Sequence, residues 1–160
     1  MNNRIIALIL LMMISLTACK NVSDSSSEIK NETAINEKGY TVTAYNQGKK
    51  QISDDEKQKQ LVDTAEDIVR SECIDELALS LILSSADIDG YKNNGIYVEI
   101  TYGENIELNI GSDGDTKSIS KIIILSDSEN KKNYAMYYTE SGCRTFMISE
   151  DATGRITEIF

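Results

Sequence analysis

Ile5 to Leu16 form an apolar run broken only by Ser15, and after it the chain changes character. Residues 20–38 are rich in Ser, Asn and charge, with isolated apolar positions at no regular spacing. Such a stretch cannot bury enough surface to order itself and predicts a flexible tether. A periodic pattern begins near Gly39. Tyr40 to Tyr45 is β-branched and aromatic, stops at Asn46-Gln47-Gly48, and predicts a strand. Ser53 to Glu56 then matches a capping box with acids in the first turn. Leu61, Val62, Ala65, Ile68 and Val69 follow at helical spacing, with Lys59, Asp63, Glu66 and Asp67 opposite, which predicts one long amphipathic helix.

Glu76 to Leu83 reads both ways. Its leucines alternate, as in a strand, yet Leu and Ala favour helix. The strand is preferred, because Ser84-Ser85 can then cap a short helix through Asn94, with Gly95 stopping it in a left-handed conformation. From Ile96 the period is two. Ile96, Val98, Ile100 and Tyr102 share a face, a turn is expected at Gly103-Glu104-Asn105, and Ile106, Leu108 and Ile110 return on the same face. Ile119 to Leu125 is almost continuously apolar, as in a central strand covered on both sides. Tyr134 to Tyr138 predicts another strand. Cys143 to Ile148 and Arg155 to Phe160 predict a last hairpin across Glu150 to Gly154. The sum is an α+β domain over residues 39–160, a long and a short helix on a mostly antiparallel, meandering β-sheet.

The beginning of the chain carries an address. Arg4 precedes the apolar run, which has signal-peptide length and falls short of the roughly 20 apolar residues that span a bilayer. Leu16-Thr17-Ala18-Cys19 resembles the lipobox of bacterial lipoproteins. The resemblance implies a signal peptide at 1–18, cleavage before Cys19, and a diacylglycerol on the Cys19 thiol with an acyl chain such as palmitate on the new amine. It implies a cell-membrane protein, lipid-anchored and facing the extracytoplasmic side, with residues 19–38 as lipidated cysteine and tether. Two or more acyl chains hold a protein stably at a bilayer, each methylene adding about 0.8 kcal/mol.

Charge and missing residues narrow the chemistry. The net charge is −10, and losing Arg4 with the leader makes it −11. With no Lys/Arg cluster, such a chain repels nucleic acid, so no nucleic-acid partner is expected. The chain has no His, Trp or Pro. Without His, the usual general base, the triad imidazole and the commonest zinc ligand are gone. No Walker, dinucleotide-binding or Gly-x-Ser-x-Gly pattern occurs, and no cofactor is expected. Asp87-Ile88-Asp89-Gly90 fails as a calcium loop, since Ile96 falls where the bidentate Glu belongs. The Ser112-to-Asp115 loop reads as a plain connection, and no metal site is assigned.

Three sets of residues remain as candidates. In the expected hairpin Glu99 and Glu107 would be diagonal neighbours about 7–8 Å apart, the best carboxylate pair for a hydrolase. Cys73 and Cys143 would either form a disulfide or sit as two small hydrophobes. Eight tyrosines, with Tyr97 and Tyr137 on strands, could line a sugar- or peptide-binding face. The leading expectation is a non-catalytic interaction domain engaging an envelope protein or peptide. Its alternatives are a carboxylate hydrolase of envelope polymers and an accessory protein responding to a ligand or cation.

Overall fold

A computed structural model of the 160-residue chain describes residues 39–51, 54–77, 83–111 and 114–160. Among these lie six strands and three helices. β1 (Tyr40–Asn46) turns through Gln47 and Gly48, both at positive φ, into the short β2 (Lys49–Lys50). Paired positive φ values match the right-handed twist of the flanking strands, which makes the hairpin tight. α1 (Asp55–Glu72) and α2 (Ser85–Asn94) follow. Then come β3 (Ile96–Ile110), β4 (Asp115–Asp127), β5 (Lys132–Thr139), β6 (Gly142–Met147) and α3 (Glu150–Thr157).

The strands form one sheet in the order β2-β1-β3-β4-β5-β6, antiparallel throughout. With three helices against it, the domain is α+β. Period two decides which residue goes to which face. Val98, Ile100, Ile122, Ile124, Ala135, Tyr137 and Phe146 pack beneath α1 and α3, against Leu61, Ala65, Ile68, Val69, Ala152 and Ile156. Tyr97, Ile123, Leu125 and Met136 face the other way, where Ile88 and Tyr91 of α2 meet them. The apolar run in β4 is thus covered on both sides. Each fully buried Leu, Ile or Val contributes about 1.5–3 kcal/mol, so burial outweighs the roughly 1 kcal/mol of a helix cap.

Four expectations are corrected. α1 is capped by Asp54, whose side chain accepts from Lys57 N at 2.9 Å; Ser53 lies outside the described residues. Gly103-Glu104-Asn105 does not turn the chain. β3 runs through it as one 15-residue strand, with a bulge against β4 between Thr101 and Ile106. The reason is length: β4 has 13 residues and pairs with both halves of β3, while Gly103 N is held by Gly39 O at 2.7 Å. Residues 150–157 are helix, not hairpin. Ser149 caps them, Glu150 and Asp151 supply first-turn acids, and Ala152 and Ile156 reach the core together at spacing four. Gly95 stops α2, but at φ −145° it is not left-handed. A β-carbon there would collide with the Ser126 carbonyl, so close approach to β4 requires the glycine.

Glu76 and Leu77 pair with the edge of β6, through a bridge to Phe146 and a 2.9 Å bond from Leu77 N to Thr145 O. The remainder of the expected strand, 78–82, lies outside the described residues, as do the leader, Cys19 and the tether.

Candidate functional site

Glu99 and Glu107 share one strand, eight positions apart, because the expected turn between them is a bulge. At about 3.3 Å per residue they are separated by on the order of 25 Å. They are no catalytic pair. Glu99 accepts from the Tyr97 hydroxyl and lies 3.5 Å from Lys121 Nζ, while Glu107 is exposed.

The tyrosines divide between the two faces. Tyr137 is buried beneath α1, stacked on Phe146 at 5.4 Å. Tyr97 is buried on the opposite face, so the two candidates present no common surface. Tyr45, Tyr91, Tyr134 and Tyr138 accompany Tyr97. Lys92 of α2 lies 5.2 Å from the Tyr45 ring centroid and 5.0 Å from that of Tyr97, a cation–π clasp holding α2 on the sheet. Most of this aromatic surface is therefore spent on packing α2. Burial, reinforced by the Glu99 carboxylate, holds the Tyr97 hydroxyl far above its usual range.

Cys73 and Cys143 are not bridged to one another. Cys73 belongs to the cluster beneath α1, and Cys143 packs with the cluster on the other face. Burial, with Glu72 adding to it, pushes the Cys73 thiol up to about 12.

A larger feature lies elsewhere. A groove of about 840 Å³ opens between α1 and the bulged middle of β3, with Gly39 at its margin. Its apolar floor is Tyr40, Val62, Tyr102 and Ile106. The bulge creates it: four residues of β3, Tyr102 to Asn105, stand between consecutive pairings to β4, and the exposed Glu104 and Asn105 form one lip. Helical spacing along α1 supplies the other lip, Lys59, Asp63 and Glu66. Tyr102 donates to Glu66 Oε1 at 3.1 Å, and Arg70 donates to Glu66 Oε2 at 2.9 Å. Burial first, and then the Glu66 carboxylate, raises Tyr102 well above the ordinary tyrosine range.

The Tyr40 hydroxyl is buried with no hydrogen-bond partner among the described residues. Leaving such a group unmatched costs about 1–3 kcal/mol, which a ligand carrying a partner would recover. An apolar floor, a few converging polar groups and an unmatched hydroxyl are the features of a small binding site. Sequence reasoning missed it because Tyr40, Val62 and Ile106 come from three elements. The one local signal was Gly103-Glu104-Asn105, equally suited to a turn.

Among the described residues no set of three His, Cys, Asp or Glu is placed to hold a metal ion, and no helix is long and apolar enough to cross a membrane. No protein-family model, curated protein or solved structure matches the chain.

Proposed function

We propose that this chain is a lipid-anchored extracytoplasmic lipoprotein whose α+β domain binds an envelope protein or peptide, without chemistry of its own. The groove carries the reading, as an apolar floor that includes Tyr40, whose hydroxyl is buried and unmatched among the described residues. α1 serves as the one long amphipathic helix of the fold. Its inner face builds the core and its outer edge, at Lys59, Asp63 and Glu66, forms the lip of the site. The anchor rests on the leader and Cys19, and would place the groove where envelope components are met.

Two measurements test this. Labelled palmitate should appear on the wild-type chain and not on Cys19→Ala, which should leave the membrane fraction. An unlabelled wild type ends the anchor. A photo-crosslinking residue at Asn105, on the groove's lip, should give a discrete adduct in intact envelopes, whereas one at the equally exposed but distant Asn130 should not. Equal adducts from both positions, or none from Asn105, sink the binding site.

A further inference from the structure

We propose that the groove seats an apolar side chain of a basic peptide, its cationic neighbours resting against the acidic lips. This deepens the binding reading above and rests on it.

Charge and an unmet hydrogen bond select the guest. Lys59 is already paired with Asp63 one helical turn on, and Arg70 with Glu66. Those four charges cancel. Glu104, exposed on the opposite lip, has no basic partner among the described residues, so the unmatched charge at the mouth is negative. The field of the whole domain has the same sign: residues 39–160 carry 22 acidic and 12 basic side chains. A like-charged ligand would be repelled at long range and meet Glu104 at contact, whereas a cationic one is drawn in by both.

The interior asks for something else. Val62, Ile106 and the two tyrosine rings offer no charge, so what enters must be apolar. The Tyr40 hydroxyl is closed off from solvent and unmatched among the described residues, so it gains a partner only when a seated guest displaces the lining above it. A backbone carbonyl, which a peptide carries at every residue, can then accept from it. An apolar residue flanked by Lys or Arg meets the three requirements in one short segment. A polyanion meets none at the lips, and a plain hydrocarbon leaves the hydroxyl unmatched.

The experiment exploits the absence of tryptophan from the chain. Amide-capped pentapeptides KWKLK, QWQLQ and EWELE are titrated against the full chain in nanodiscs of zwitterionic lipid, with empty discs as blank. Peptide tryptophan emission, excited beyond the tyrosine band, is the readout. KWKLK should bind with a blue shift, about tenfold more tightly than QWQLQ, and EWELE should not bind. Glu104→Lys should bring KWKLK down to the level of QWQLQ. Tyr40→Phe, which deletes only the unmatched hydroxyl, should weaken both peptides severalfold without lowering the melting temperature.

If KWKLK and QWQLQ bind alike and Glu104→Lys changes neither, the basic preference is wrong while the groove survives. If no peptide binds, or binding ignores both substitutions, the groove is not the site and the reading beneath the proposal fails with it.

Discussion

Cys73 shows how one buried atom couples the fold to pH. Its thiol ordinarily titrates near 9.0 and is pushed up to about 12, first by burial and then by Glu72. A raised value means that the fold favours the neutral thiol. Its contribution is complete below about pH 9 and is lost as pH rises from there towards 12. Tyr97 and Tyr102, also raised chiefly by burial, act in the same direction. The urea midpoint should therefore fall between pH 8 and pH 11, and fall less steeply in Cys73→Ala. Parallel pH profiles for the two proteins would show that the thiol is not held neutral. The sequence offered this residue only as half of a candidate disulfide. Two cysteines 70 positions apart say nothing of which side of a sheet each occupies, and here they lie on opposite sides.

At the scale of elements, α3 is the clearest case of a local signal outvoted by another. Ser149-Glu150-Asp151 carries an N-cap and first-turn acids, but Gly154 and the β-branched Ile156 and Thr157 suggest a turn and a strand. What settles the matter is tertiary. Glu72, at the end of α1, accepts from Ser149 N at 2.7 Å and Ser149 Oγ at 3.0 Å, and Arg155 reaches back to Asp67 at 2.6 Å. The helix start is thus fastened to α1. Ser149→Ala removes the cap and one of these bonds, and should cost about 1–2 kcal/mol, measured by chemical denaturation. A loss below about 0.3 kcal/mol would mean that packing of Ala152 and Ile156 holds the helix unaided. β1, β5 and the inner face of α1 were legible from their residue pattern, and α2 from its cap at Ser84 and its stop at Gly95. β3 was legible in its faces but not in its continuity, since Gly-Glu-Asn serves a bulge as well as a hairpin and only the length of β4 decides between them.

For the whole molecule, the order of strands along the sheet has a consequence in time. β3, β4, β5 and β6 each pair with the next strand in the chain, so four strands can zip together through short connections alone. β1 must find β3 across at least 50 positions, from Asn46 to Ile96. Closing that long loop is the step with the largest entropic cost, and local pairs form before distant ones. Folding φ-values should then be high for Ile124→Val in β4 and near zero for Val42→Ala in β1, with the reverse ranking refuting the sequence of events. Tyr40 joins the groove's floor only when β1 arrives, so the molecule acquires its receptive surface in the last kinetic phase, and a chain still maturing has nothing to hold a guest with.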